Sequence, residues 1–231
     1  MSSDQTLDAL PPTPPGDAPW HTVRRWRVAT REVLRARREV LPHALKDRTG
    51  RFVRAVIEHH LPELDGACIG LYWPFRGELD LRELADMLAE RARDFALPVV
   101  AAAGRPLLFR RWWPGMRMTR GTWDIPVPAS GAVVHPDVLL VPLLGHDAAG
   151  YRLGHGGGYY DRTLAALSPR PLAIGVGYAA ARLASIVPQA HDVPMDVIVT
   201  DRAMIRFAGQ GALRAAAVEH CWSSAIAGAE C

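Results

Sequence analysis

Short apolar runs alternate with helical patterns along most of this chain. Runs of strand character lie at 67–73, 96–101, 107–112, 137–143, 172–176, 197–199 and 204–207. The run at 137–143 is continuously apolar after its first residue, which is typical of a strand covered on both faces. Apolar residues with helical spacing lie at 21–45, 52–57, 81–95 and 160–167. Strands that alternate with helices predict an α/β protein, here a three-layer α/β/α sandwich with a mostly parallel sheet.

The same pattern predicts one domain between two extensions. Residues 1–20 are rich in proline, which removes backbone donors and fixes the backbone, so we expect a flexible or extended tail. Residues 21–208 carry the alternating pattern and are expected to form the domain, with a Rossmann-like sheet. Residues 209–231 are rich in alanine, and we expect a C-terminal extension made of one helix and a loose end.

The composition is that of a protein with a buried core. Hydrophobic residues make up 49% of the chain, yet its apolar runs stay well short of the ~20 residues that a membrane span needs. The polar start at residues 1–5 is unlike a signal peptide. We therefore expect a cytoplasmic protein with no membrane partner. Cys68, Cys221 and Cys231 lack the spacing of a zinc site or a disulfide framework.

The positive charge comes almost wholly from arginine. The formal net charge is +3, which permits nucleic-acid binding, but no aromatic and basic repeat accompanies it. Anionic small molecules explain the charge equally well, and we expect no nucleic-acid partner. Four arginines recur at helical spacing in the first predicted helix: Arg27, Arg31, Arg35 and Arg38. Such a run is most often a solvated face.

A glycine cluster lies between the strand at 137–143 and the helix at 160–167. Glycines at a strand-to-helix joint let backbone N–H groups approach an anion, and the start of the helix adds positive partial charge. Arg152 would add a full charge, and Asp161 lies in the first helical turn, where it could hold a cation. The cluster therefore predicts a phosphate cradle rather than a plain surface loop.

Neither of the common nucleotide fingerprints describes this cradle. Tyr159 stands where the dinucleotide pattern has its last glycine. A Walker A loop is excluded because Lys46 is the only lysine of the chain.

The cradle and four other segments carry a family resemblance. Arg-Leu-Gly-His-Gly-Gly-Gly-Tyr-Tyr-Asp-Arg at 152–162 resembles the signature of the 5-formyltetrahydrofolate cyclo-ligases, also called methenyltetrahydrofolate synthetases. The similarity extends to segments at 73–80, 121–128, 175–178 and 187–200, and covers roughly residues 24–205. It implies ATP-dependent closure of 5-formyltetrahydrofolate to 5,10-methenyltetrahydrofolate, with ADP and phosphate released. ATP as co-substrate and Mg²⁺ are the implied cofactors.

The resemblance also implies roles for single residues. Those matched to the ATP site are Arg27, Arg31, Arg152, Leu153, Gly154, His155, Gly156, Gly157, Gly158, Tyr159 and Tyr160. Those matched to the folate site are Glu78, Trp123, Gly156, Gly157, Gly158, Tyr159 and Tyr160. Arg152 and Tyr159 are the expected catalytic residues, and Asp161 and Asp192 the expected metal ligands. Arg27 replaces a lysine of the family, which keeps the charge but changes its shape.

Two other functions stay open at the level of sequence. The chain could be a catalytically weakened relative that binds nucleotide and folate, for which the replaced lysine and Leu81, where many members have threonine, are the only support. It could also be a basic RNA-binding module that uses the arginine-rich helix. The sequence does not predict an oligomeric state.

Overall fold

The structure is a computed structural model that describes residues 9–208 and the backbone of residues 215–221. Within these residues the helices are α1 (Trp20–Glu39), α2 (His43–His60), α3 (Leu84–Met87) and α4 (Tyr159–Ala166). Single 3₁₀ turns lie at Pro62–Leu64, Thr122–Asp124 and Ala179–Ala181. The strands are β1 (Cys68–Gly70), β2 (Asp94–Val99), β3 (Leu108–Arg111), β4 (Met118–Arg120), β5 (Pro126–Pro128), β6 (Val133–Val134), β7 (Val138–Pro142), β8 (Gly145–His146), β9 (Arg152–Leu153), β10 (Leu172–Val176), β11 (Val197–Val199), β12 (Ala203–Ala208) and β13 (Ala215–Cys221).

One large sheet organises the chain. Its strand order is β13-β12-β11-β10-β7-β1-β2-β3-β6, and two small hairpins, β4-β5 and β8-β9, lie outside it. The central strands β11, β10, β7, β1 and β2 are parallel. The outer strands pair antiparallel on both sides. The predicted parallel sheet is therefore confirmed for its centre.

The central strands bury both of their faces. In β7, Val138 and Leu140 belong to a core cluster with residues of α2, whereas Leu139 and Val141 belong to a second cluster with Leu164 of α4. Successive side chains of a strand point to opposite faces, so helices must cover both sides of the sheet. The α/β sandwich predicted from the continuous apolar run is confirmed.

Helix α1 packs on a third cluster. Its residues Val23, Trp26 and Leu34 lie against Leu153 and the region of Ile186. The N-terminal segment joins this cluster, since Leu10 packs against it and Nε1 of Trp26 donates to the carbonyl oxygen of Pro11, at 3.1 Å. Leu10, Pro11 and Ala18 thus contact the fold, while most other residues of 9–19 are exposed.

Three predicted helices differ from the observed ones. The helix expected at 21–45 ends at Glu39, because Pro42 disfavours helical backbone in the residue before it, and α2 then begins at His43. The helix expected at 81–95 is wrong beyond α3: backbone N–H groups of Arg93 and Asp94 donate to Ala67, which draws the chain into β2. The alanine-rich extension was expected to hold a helix, but residues 215–221 form β13, which pairs antiparallel with β12.

No helix in the part of the chain that the structure describes is long and apolar enough to cross a membrane.

Candidate active site

The glycine loop, residues 154–158, connects β9 to α4. Gly156 and Gly158 have φ of +98° and +63°, a backbone conformation that residues with a side chain rarely adopt. The backbone N–H groups of Gly156, Gly157 and Gly158 donate to no described residue. A row of free N–H groups ahead of a helix start is the arrangement that binds anions. These N–H groups are the donors that the predicted cradle would need.

Arg152 lies just before the glycine loop and contacts both Asp161, just after the loop, and Val193, far along the chain. Its Nη1 lies 2.8 Å from Oδ1 of Asp161, and the Arg152 side chain is buried. The same Asp161 oxygen accepts the backbone N–H of Val193 at 3.1 Å, while Nη1 of Arg152 also donates to the Val193 carbonyl oxygen. Val193 ends a stretch, 186–193, that we call the closing segment. The Arg152 charge is thus held at the base of the glycine loop.

Arg27 holds the closing segment from the side of α1. Its Nε donates to the carbonyl oxygen of Ile186, and its Nη2 donates to that of Val187 at 3.0 Å. Nη1 and Nη2 both donate to the carboxylate of Asp192, at 3.2 and 2.5 Å. Four of the five N–H groups of this guanidinium are therefore occupied inside the protein. The expectation that Arg27 contacts phosphate directly does not fit this geometry.

Arg31, one turn further along α1, is the arginine that faces the glycine loop. Its Nε donates to the carbonyl oxygen of Gly154 at 2.7 Å. Its guanidinium carbon lies 3.5 Å from the position that a Cβ on Gly156 would occupy. Neither Nη atom donates to a described residue. Burial, and then the charge of Arg27, lower the pKa of Arg31. A bound anion would relieve both effects.

The arginine run of α1 is therefore not a solvated face. Arg27 and Arg38 are buried, at 4% and 5% exposure, and Arg31 is half-buried. All three donate to parts of the candidate site or its supports. This placement does not favour the RNA-binding interpretation, which needs these side chains at the surface.

Glu78 reaches the glycine loop from the turn that follows β1. Its Oε1 lies 3.0 Å from Nε2 of His155, and its Oε2 accepts the backbone N–H of Phe75. Arg38 also approaches the ring of His155, at 3.3 Å. Tyr178 supports this turn by donating its hydroxyl to the carbonyl oxygen of Gly77. Glu78 and the glycine loop thus contact each other directly.

Trp123 borders the opposite side of the loop. Its ring meets Tyr159 edge to face, with 5.6 Å between ring centroids, and 58% of its surface is exposed. Trp123 and its neighbour Asp124 have φ of +58° and +61°. Two successive non-glycine residues in this conformation are rare, and they set the direction of the indole, which lies beside Tyr159 at the end of the loop.

Backbone strain concentrates around this site. Among the described residues, positive φ at non-glycine positions occurs at Arg76, Trp123, Asp124 and Val187. Arg76 lies in the Glu78 turn, and Val187 is the residue whose carbonyl oxygen Arg27 holds. Strained conformations persist where the surrounding contacts enforce them, and they are common at ligand sites.

The two predicted metal ligands differ in what they can offer. Oδ2 of Asp161 accepts no hydrogen bond from the described residues, so this carboxylate keeps one free oxygen. Both oxygens of Asp192 accept from Arg27, and Oδ2 also accepts the N–H of Gln189 at 2.7 Å. Across residues 9–208, His, Cys, Asp and Glu form no group of three that could hold a metal ion by themselves. Asp161 fits a magnesium ion that phosphate oxygens also hold; Asp192 does not.

Two supporting residues were given no role of their own from the sequence. Arg38 was seen only as part of an arginine run, although it reaches His155. Asp147 is buried and accepts N–H groups of Ala149, Tyr151 and Ile186, so it fixes the β8-β9 turn to the closing segment. Spacing alone gives no signal for either contact, because the partners lie far apart in the chain or are backbone groups.

The fold and this site define a class of protein. Free backbone donors at a glycine loop, flanked by arginines and placed beside a parallel sheet, are typical of enzymes that handle phosphate groups. The model of the 5-formyltetrahydrofolate cyclo-ligase family matches residues 22–201. This protein belongs to that family of ligases, and the resemblance found in the sequence is confirmed.

Individual relatives agree with the family match. The 5-formyltetrahydrofolate cyclo-ligase of Mycolicibacterium smegmatis is 30% identical over 180 residues, 74% of this chain and 92% of the relative. That of Escherichia coli K12 is 27% identical over 176 residues, 73% of this chain and 96% of the relative. The solution structure of 5,10-methenyltetrahydrofolate synthetase from Aquifex aeolicus superimposes with a TM-score of 0.69 at 27% identity, over 80% of this chain and 95% of that one.

Proposed function

We propose that this protein closes 5-formyltetrahydrofolate to 5,10-methenyltetrahydrofolate at the expense of ATP, releasing ADP and phosphate. The observation that carries the proposal is the convergence of distant segments on one glycine loop. Arg31 reaches it from α1, Glu78 from the turn after β1, and Trp123 from the turn at 122–124. Family membership supplies the reaction, and this convergence supplies a place for it.

The phosphate groups of ATP are proposed to bind on the α1 side of the loop. Gly156, Gly157 and Gly158 offer backbone N–H groups, and Arg31 offers two unoccupied Nη atoms. Arg152 adds a buried positive charge at the base of the loop. Catalysis of phosphoryl transfer depends mainly on positioning and charge neutralisation, which these groups provide.

The folate is proposed to bind on the other side of the same loop. The carboxylate of Glu78 is an acceptor for N–H groups of the pterin, and the exposed ring of Trp123 offers a face for stacking. Tyr159, whose ring contacts that of Trp123, is proposed to lie next to both substrates. Burial, and then the charge of Glu78, raise the pKa of Tyr160, so its hydroxyl stays protonated as a donor.

The formyl oxygen of the substrate is a poor leaving group, and the reaction must first convert it into a good one. The γ-phosphoryl group moves from ATP to the formyl oxygen, and ADP leaves. The neighbouring amine nitrogen then attacks the formyl carbon and loses its proton, while the carbon–oxygen bond breaks and phosphate departs with that oxygen. Arg152 is placed to stabilise the charge on the phosphoryl oxygens, and Tyr159 to hold the reacting ends together.

Magnesium is proposed to bind through the free oxygen of Asp161 together with phosphate oxygens. A divalent cation supplies neutralisation of the phosphate charge when it is bound. Asp192 is assigned a different task, the fixing of Arg27 and the closing segment, because its oxygens are already occupied.

A turnover assay tests the proposal. Purified protein with magnesium, ATP and 5-formyltetrahydrofolate should produce the near-ultraviolet band of the methenyl product, and omission of ATP should abolish it. Gly157→Val should lose turnover, because a Cβ there would lie 2.8 Å from the Tyr159 ring. Gly16→Ala is the matched control, since no atom lies within 4 Å of the added carbon. Product formation without ATP, or none at all, contradicts the proposal.

A further inference from the structure

Glu78 and His155 form the contact that joins the two halves of the candidate site. Oε1 of Glu78 lies 3.0 Å from Nε2 of His155, and Oε2 accepts the backbone N–H of Phe75, also at 3.0 Å. The Glu78 side chain is 6% exposed. Both carboxylate oxygens are thus occupied by partners within the protein, and only the His155 partner is a side chain that can move away.

The position of His155 makes this contact a weak one. Nε2 lies 3.3 Å from Nη2 of Arg38 as well as 3.0 Å from Glu78. A single imidazole nitrogen either donates or accepts, so it cannot satisfy a carboxylate and a guanidinium together. Arg38 already donates to the carbonyl oxygens of Arg76 and Leu143. The ring therefore has one side-chain hydrogen bond, to Glu78, and an edge contact with the ring of Phe75 at 6.1 Å between centroids, while Arg38 competes for the same nitrogen.

The backbone around His155 allows the ring to withdraw. Gly154 and Gly156 flank it, and a third of the His155 side chain is exposed. The space around Gly154 is open, with no heavy atom within 4 Å of the position of a Cβ. The loop can release the carboxylate without disturbing the packed core.

We infer that His155 is a positioning residue that competes with the folate for the carboxylate of Glu78. The inference rests on the proposed function, in which Glu78 accepts a hydrogen bond from the pterin. Because the Glu78 side chain is 6% exposed and His155 covers Oε1, a pterin N–H group that reaches this oxygen displaces the imidazole and frees His155, which lies next to Gly156 in the glycine loop. His155 thereby lowers the affinity for folate and links the arrival of folate to the conformation of the glycine loop.

Binding of 5-formyltetrahydrofolate without ATP tests the competition. By titration calorimetry, His155→Ala should bind about threefold to tenfold more tightly than the parent, the effect of one net hydrogen bond. His155→Gln keeps an N–H donor that reaches Glu78 and should stay within about twofold of the parent. His135→Ala, at an exposed histidine beyond β6, is the control for removal of an imidazole elsewhere and should leave the affinity unchanged.

A second variant separates competition from a structural effect. Glu78→Ala removes the contested carboxylate, so adding His155→Ala to it should change the affinity by less than about twofold. In NMR spectra of the parent, the ring nitrogens of His155 should shift when folate saturates the site. Unchanged or weaker folate binding in His155→Ala, or an unshifted ring, overturns the inference alone. Absence of folate binding by the parent overturns the proposed function as well.

Discussion

Nη2 of Arg27 lies 2.5 Å from Oδ2 of Asp192, although 165 residues separate the two in the chain. Both side chains are buried, at 5% and 9% exposure. The same guanidinium holds the carbonyl oxygens of Ile186 and Val187, so α1 is bound to the closing segment at four points. This clamp sets the rotation of α1, which places Arg31 over the glycine loop one turn later.

Loss of the clamp should destabilise the protein. Arg27→Ala leaves the carboxylate of Asp192 buried without its cation, and the free energy of unfolding should fall by about 3–5 kcal/mol in urea titrations. Arg24→Ala, at an exposed position of the same helix, should stay within about 0.5 kcal/mol of the parent. Equal stability of the two variants would show that the ion pair contributes nothing to folding.

The two aspartates should respond differently to magnesium. Of these two aspartates, Asp161 is the one with a free oxygen, so in Asp161→Asn turnover should fall and recover in part as magnesium is raised. Asp192→Asn breaks the Arg27 clamp instead, and its loss of turnover should not respond to magnesium. Magnesium titrations of the two variants decide the point. Recovery of both to the same extent would make Asp192 a second metal ligand.

Trp123→Ala should weaken folate binding more than ATP binding. A strained turn holds the exposed indole beside Tyr159, and loss of aromatic stacking on a heterocycle costs about 1–3 kcal/mol. Trp113→Ala is the matched control, because this tryptophan is similarly exposed, at 52%, and is not among the residues of the candidate site. Calorimetry with each ligand measures the effect. Equal losses for folate and ATP would indicate a packing role.

Sequence pattern and motif predicted different parts of this molecule. The apolar run of β7 was predictive because both faces of that strand are buried, and β10 was predicted from its first to its last residue. The pattern failed after Leu88, where pairing of β2 with β1 overrides helical spacing. Periodicity describes the local chain, whereas this choice depends on a partner strand that the pattern does not include.

The candidate site was also only partly predictable from the sequence. The glycine loop was recognisable because its free donors and positive φ are properties of consecutive residues. The placement of Arg27 was not, because its spacing in α1 is the same whether it meets phosphate or Asp192. Only the packing of α1 on the closing segment distinguishes the two. The contact between Glu78 and His155 likewise depends on a folded turn and leaves no pattern in the sequence.

Buried His146 should make stability depend on pH. Burial, and then the charge of Arg182, lower its pKa from 6.5 to about 4. The neutral ring is favoured in the fold, so its contribution is complete above pH 6.5 and is lost as the pH falls toward 4. That loss amounts to about 3 kcal/mol. Urea unfolding from pH 7 to pH 4 should show a shallower decline in His146→Leu than in His21→Leu, an exposed control; parallel declines would contradict it.

The ATP requirement of Arg31→Ala tests the central claim most directly, that the α1 side of the glycine loop holds the phosphates of ATP. Arg31 has two unoccupied Nη atoms facing the loop, whereas Arg24 points to solvent from the same helix. In the methenyl-product assay, Arg31→Ala should raise the apparent KM for ATP about tenfold to a hundredfold, the effect of a lost hydrogen bond to a charged group. Arg24→Ala should leave it unchanged. An Arg31→Ala variant with the KM for ATP of Arg24→Ala would contradict this location of the phosphate site.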